Sequence, residues 1–201
     1  MSEVRIIEKP QDISYAVIKD IMYRAHESNR QKGIFMHSVE LSPEQLEAKV
    51  GENGKTFIAE IDGKIVGTAS LEVVRRNAWY AKGQGDIADE IFVGVLPESK
   101  GHGIYSKLYA AIEDEARARG YGMVVFNTAA KNKTKQDISR KKGFVPVGWF
   151  VSKDNDHYSV IMAKWLGKCP FSKIYIKLRF LYSKWLVTIR YKPGKVKRFG
   201  I

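Results

Sequence analysis

Apolar positions recur along this chain with two periods, one near 3.6 residues and one of two, and the switches between them mark out its elements. Residues 4–8 read as a short strand stopped by Pro10. Asp12 then reads as the N-cap of a helix with Ile13, Val17 and Ile21 on one face, running towards Gly33. Ser42-Pro43-Glu44-Gln45 combines a serine cap, a proline in the first helical position and a glutamine three residues after the cap, so a second helix should run from there to about Gly51. Residues 24–36, between the two helices, are polar and have the look of a mobile loop. Residues 56–61 and 64–74 flank Asp62-Gly63, the favoured pair for a two-residue hairpin turn, and residues 90–95 supply a third antiparallel strand.

Ile104, Leu108 and Ile112, spaced by four, predict a helix from about His102 to Arg119-Gly120, with basic residues in its last turn and glycine beyond. Residues 123–127 form a short buried-type strand, expected to run parallel to residues 90–95 across the helical crossover. Residues 131–142 make a polar helix ended by Gly143-Phe144, and residues 144–151 and 157–165 a closing pair of strands around Asp154-Asn155-Asp156. In residues 171–191 two periods compete. Drawn as a helix, Ile174, Leu178, Leu181, Tyr182, Trp185, Leu186 and Ile189 share an arc of about 140°, with Lys173, Lys177, Arg179, Lys184 and Arg190 outside it. Drawn as strands, Ile174, Ile176, Leu178 and Phe180 alternate with Lys177 and Arg179; no Gly, Pro, Asn or Asp supplies a turn, which favours the helix.

Charge divides the chain in two. Of 34 Lys or Arg and 22 Asp or Glu, ten of the former and none of the latter lie from Lys168 onward, so residues 1–167 hold 24 against 22. This asymmetry places a boundary near Gly167, with a core domain over 1–167 and a basic, aromatic C-terminal extension over 168–201. The 201 residues suffice for one globular domain with an appendage. The N-terminal residues lack the apolar core of a signal peptide, no run reaches a transmembrane length, and the single cysteine, Cys169, excludes an internal disulfide; together these point to the cytoplasm, with a peripheral membrane association through the extension as an option. His26, His37, His102 and His157 have no metal-ligand spacing, so no metal is expected.

The chemistry gathers where the strand at residues 90–95 gives way to Pro97, Gly101 and Gly103 and then to a helix. A strand, a glycine turn and a helix start aim free backbone N–H groups and a positive helix end at whatever lies over the turn; an anion such as a pyrophosphate suits it, with Lys100 adding charge. The string Lys100-Gly101-His102-Gly103-Ile104-Tyr105, preceded by Val95-Leu96-Pro97 and followed by Leu108, resembles the pyrophosphate-binding signature of the GNAT superfamily of acyl-CoA-dependent N-acyltransferases. Lys100 stands where that signature has Gln or Arg, and Tyr105 where it has Gly or Ala. The predicted element order over about residues 3–165 is also that of the GNAT fold, an α/β (α+β) arrangement with a mixed, mostly antiparallel twisted sheet flanked by helices.

The resemblance implies roles by position. Main-chain groups of Val93 and Val95 would meet the pantetheine arm beside a bulge, for which Gly94 is the candidate residue. Backbone N–H groups of Lys100, Gly101, His102, Gly103, Ile104 and Tyr105 would hold the pyrophosphate of acetyl-CoA, and Asn132 would add a cofactor contact. Seven residues after Asn132, where relatives often carry a tyrosine that protonates the leaving thiolate, this chain has Ser139; Ser139 and Tyr158 are the candidate donors, each with an ordinary structural reading beside it. Glu90, at the entry of the strand, is the candidate general base, with Asp89 on the opposite face. Three functional classes stay open: an N-acetyltransferase acting on an amine-bearing acceptor of unknown class, a catalytically silent relative attached to membrane or protein, and a nucleic-acid-binding module, the last disfavoured because no extended basic face is legible in the core. The extension itself reads either as a helix packed on the domain or on a second subunit, or as a basic amphipathic segment lying on an anionic membrane.

Overall fold

A computed structural model describes residues 3–34, 36–152 and 157–191. The chain divides into two compact units, Met1–Val124 and Val125–Ile201.

In the first unit, β1 (Arg5–Glu8), β2 (Lys55–Ile61), β3 (Lys64–Arg75) and β4 (Asp86–Val95) lie side by side in that order, each antiparallel to the next. Asp62 and Gly63, at φ 49° and 73°, close β2 on β3 in the two-residue turn their sequence predicts. Strand β4 starts four residues before the expected Glu90 because Asp86, Ile87 and Ala88 pair with Arg75, Val74 and Val73 at the far end of β3.

The first helix, α1 (Tyr15–Ala25), starts two residues later than expected: Ser14, not Asp12, is the N-cap, and its Oγ accepts from Ala16 N. Lys9 Nζ donates to the carbonyls of Pro10 and Ile13, holding residues 10–13 in a turn that precedes the helix. The register shifts with the cap. Tyr15, Ile18, Ile21, Met22 and Ala25 form the inward row, while Val17 is 36% exposed. Ile13 joins the same apolar cluster as Ile18 from the position before the cap, as in a hydrophobic staple. The helix ends at His26 instead of continuing to Gly33, and the polar stretch after it contains two short helices, α2 (Glu27–Gln31) and α3 (His37–Glu40). Helix α4 (Pro43–Val50) has the full reciprocal capping box: Ser42 Oγ accepts from Gln45 N, and Gln45 Oε1 accepts from Ser42 N.

One core forms where α1 and α4 cover the sheet, built from Tyr15, Ile18, Met22, Leu46, Val50, Ile58 and Phe92. Each such side chain contributes about 1.5–3 kcal/mol by leaving water. Helix α5 (Ile104–Ala118) buries Ile104, Leu108, Ile112 and Ala116 and packs on β3, where Gly67 admits it: a Cβ there would lie 3.2 Å from Ile104 Cγ2 and 3.3 Å from Leu108 Cδ1.

The second unit carries most of β5 (Met123–Ala129), then α6 (Lys133–Lys141), β6 (Val145–Ser152), β7 (His157–Trp165) and α7 (Lys173–Arg190). Its strands run in the order β5-β7-β6, with β6 and β7 antiparallel. Phe126 and Phe144 meet edge to face at 5.0 Å in its interior. The expected turn at Asp154-Asn155-Asp156 lies outside the described residues. Of the two readings of residues 171–191, the helix is the one adopted, capped by Ser172 Oγ accepting from Tyr175 N. It packs on β6, with Phe180 against Trp149 at 6.1 Å and Ile176 buried.

Candidate active site

The site is built at the end of β4. Ala69 on β3 faces both Phe92 and Val93, between the regular pairs Thr68 with Gly94 and Ser70 with Ile91. This extra residue is a β-bulge, and Phe92 sits in it at φ 50°, a conformation rarely taken by an aromatic residue. The bulge therefore centres on Phe92, not on Gly94 as expected. Burial of the Phe92 ring in the core holds that backbone in place. Gly94 has a different reason to be glycine: a Cβ there would lie 3.1 Å from Ala25 Cβ and 3.3 Å from Met22 Sδ, so α1 approaches β4 where no side chain intervenes.

Beyond the bulge, Leu96 N donates to Val66 O, so strand alternation turns the N–H and C=O of Val95 towards the other edge of β4. Val93 differs, because its carbonyl accepts from His26 Nε2 at 2.8 Å. Asn29 Nδ2 donates to His26 Nδ1, which fixes the ring proton on Nε2.

The chain then passes through a short 3₁₀ turn, Pro97–Ser99, to the glycine loop. Gly101 and Gly103 are left-handed, at φ 89° and 71°, and a Cβ on either would meet nothing within 4 Å. Their conformation calls for glycine, and the space over them is open. Gly103 is the N-cap of α5 and has no side chain with which to cap it, and the first turn carries no acidic residue. An anion such as pyrophosphate fits this end: uncapped N–H groups, a positive helix dipole and open space. Lys100 Nζ reaches Ala25 O at 3.5 Å and Glu98 pairs with Arg24 at 2.7 Å, so the loop is tied on both sides of Ser99 to the end of α1. His102 is exposed within the loop, and Ile104 contributes a buried side chain beneath it.

Two neighbouring carboxylates of β4 are buried, each 4% exposed. Asp89 pairs with Arg76, and burial pushes its carboxyl up to about 6 despite that guanidinium. Burial works against the Arg76 charge, and Asp89 and Tyr80 more than offset it, so Arg76 stays above the usual arginine value. Glu90 lies on the face that meets α5, where Tyr105 Oη donates to its Oε1 at 3.4 Å. Tyr109, one turn further along α5, is raised well above the usual phenol value, first by burial and then by the carboxylates of Glu113 and Glu90. Glu90 and Tyr105, read separately from the sequence, thus share one site, with the glycine loop at the start of the same helix.

The remaining candidates belong to the second unit. Asn132 caps α6, its Oδ1 accepting from Lys135 N at 3.1 Å. Ser139 is fully buried on that helix, and its Oγ has no hydrogen-bond partner among the described residues. Tyr158 Oη donates to the Tyr191 carbonyl at 2.6 Å, and its ring lies 5.7 Å from that of Trp149. No group of three or more His, Cys, Asp or Glu among the described residues could hold a metal ion.

Sequence reasoning missed His26, Arg76 and Tyr109. Tyr105, Tyr109 and Glu113 were legible in principle, since spacing by four puts them on one face of α5. His26 and Arg76 gave no local signal.

The model of the acetyltransferase (GNAT) family matches residues 20–144. No curated protein matches the chain by sequence. Among solved structures, the ribosomal-protein-S18-alanine N-acetyltransferase from Escherichia coli is 19% identical, covering 83% of this chain and 96% of its own, with a TM-score of 0.63. The yncA structure from Salmonella typhimurium, which holds its cofactor acetyl-CoA, is 18% identical over 86% of this chain and 99% of its own, with a TM-score of 0.64. An IAA acetyltransferase from Bacillus cereus is 17% identical over 81% and 99%, with a TM-score of 0.59. At these identities the likeness is one of fold.

Proposed function

Because the chain belongs to the acetyltransferase (GNAT) family, whose co-substrate is acetyl-CoA, we propose that it moves an acetyl group onto a primary amine by direct attack, with Glu90 as general base. The observation that carries this reading is the contact of Tyr105 Oη with Glu90 on the strand that bulges just before the glycine loop. Acetyl-CoA supplies the activated acyl group. The loop from Lys100 to Tyr105 takes its pyrophosphate on backbone N–H groups, and the outward main-chain groups of Val95 pair with its arm.

A neutral amine is needed for attack on the thioester carbonyl. As the N–C bond forms and the C–S bond breaks, Glu90 takes the proton the nitrogen sheds, directly or through water. The Tyr105 hydroxyl steadies the carboxylate oxygen it touches. A thiolate with a pKa near ~8.5 leaves without a strong acid. Of the two candidate donors in the second unit, Tyr158 has its hydroxyl committed to the Tyr191 carbonyl, whereas the Ser139 hydroxyl is buried without a hydrogen-bond partner among the described residues.

The test has two stages. Acetyl-CoA should raise the melting temperature of the parent and not that of Gly103→Asp, where a carboxylate faces the pyrophosphate. Thiol release is then followed over a panel of amines: alanine peptides, suggested by the name of the Escherichia coli enzyme of like fold, together with polyamines and amino sugars. On whichever amine is accepted, Glu90→Gln should lower turnover about 10²- to 10⁴-fold with little change in acetyl-CoA affinity. A parent with no melting shift would remove the cofactor reading. A parent that binds acetyl-CoA and turns over no amine would favour the catalytically silent alternative.

A further inference from the structure

Helix α7 presents its apolar row outward. Ile174, Leu178, Leu181, Tyr182, Trp185 and Ile189 are all exposed, from 47% at Leu181 to 74% at Ile174. At 100° per residue they span about 100° of the helix surface. The row is not what holds the helix to its unit: Ile176, Phe180, Ser183 and Val187 form the inner side, with Phe180 against Trp149. Tyr182 and Trp185 stack on each other, centroids 6.2 Å apart, on the outer side. Lys173 and Lys177 line one flank of the row, where Lys184 is held over the Trp149 ring at 5.1 Å, and Arg190 lies on the other; the chain has no Asp or Glu after Asp156.

We propose that this face docks on the surface of an anionic lipid bilayer, with the helix lying in the plane of the headgroups. The pattern matches the chemistry of that interface. Aliphatic side chains enter the acyl boundary, Trp185 and Tyr182 sit at headgroup depth, and the flanking lysines meet lipid phosphates. Among the described residues no helix is long and apolar enough to cross a membrane, so the contact is peripheral. A second copy of the chain is a poorer occupant, because a two-fold contact would bring the lysine flanks of two carboxylate-free extensions together. A nucleic acid would use the lysines and leave the six apolar side chains in water.

The full-length chain is mixed with vesicles of phosphatidylcholine, with and without phosphatidylglycerol, at low and high salt, and binding is read by co-sedimentation. Binding to the anionic vesicles should be at least tenfold tighter than to the neutral ones and should weaken as salt rises. Leu178→Gln with Leu181→Gln should weaken it by about tenfold or more, and so should Lys173→Gln with Lys177→Gln and Lys184→Gln. Trp185→Gln, a single exposed change, repeats the apolar test should the double variant lose its helical circular dichroism. Four results would overturn the proposal: no vesicle binding; equal binding to neutral vesicles; binding unaffected by the apolar substitutions; or a dimer in analytical ultracentrifugation that those substitutions dissolve in the absence of any lipid effect.

Discussion

Asp89 and Glu90 are adjacent, equally buried and differently partnered, because the pleat sends one towards Arg76 and the other towards Tyr105. Between the ordinary aspartate value and about 6, folded Asp89 holds a proton that the unfolded chain has lost. Its contribution to stability is therefore largest at low pH, falls as pH rises through that window and is flat above it. Subtracting the urea stability of Asp89→Asn from that of the parent should leave a decline of roughly 2–3 kcal/mol from about pH 4 to about pH 7. A flat difference would mean that Arg76 fully offsets the burial. On the other face, Tyr105→Phe keeps the ring and removes the hydroxyl from Glu90, so turnover should fall about tenfold while acetyl-CoA affinity holds. Gly101 and Gly103 were legible because their requirement is local, a left-handed turn. The partners of Asp89 and Tyr158 were not, since Arg76 lies thirteen positions away and Tyr191 thirty-three.

At the scale of elements, the meeting of α1 with β4 governs the site. Gly94→Ala would set a methyl 3.1 Å from Ala25 Cβ, and α1 must give way at a cost of about 1–3 kcal/mol in urea unfolding. Because Arg24 and the Ala25 carbonyl are tied to Glu98 and Lys100, the same variant should also bind acetyl-CoA more weakly, which calorimetry would show. Helix and strand types along the chain could be read from periodicity and caps, and the capping box at Ser42 gave α4 to within a residue. The register of α1 could not, because Asp12 and Ser14 both have capping side chains, and residues 10–13 are held in a turn by Lys9 and by Ile13 N bonding to Pro10 O. The bulge was also hidden: pairing register is a property of two strands, and Phe92 carries no mark of its positive φ.

For the molecule as a whole, the element order and the glycine loop made the family legible, since both follow from short-range pattern. The charge asymmetry was legible too, but not which way α7 would turn its apolar row; amphipathicity gives a helix a face without saying what that face meets. The hairpin at Asp62-Gly63 has a further consequence, for the rate at which the chain reaches its fold. Strands β2, β3 and β4 are neighbours in sequence as well as in space, so their contacts close small loops and can form early. Gly63→Ala places a Cβ on a residue at φ 73°, a loss of about 1 kcal/mol. With the turn formed in the transition state, that loss falls on refolding, which slows about fivefold while unfolding hardly changes. Stopped-flow chevrons would read this directly, and a variant that refolds at the parent rate but unfolds faster would place the hairpin late.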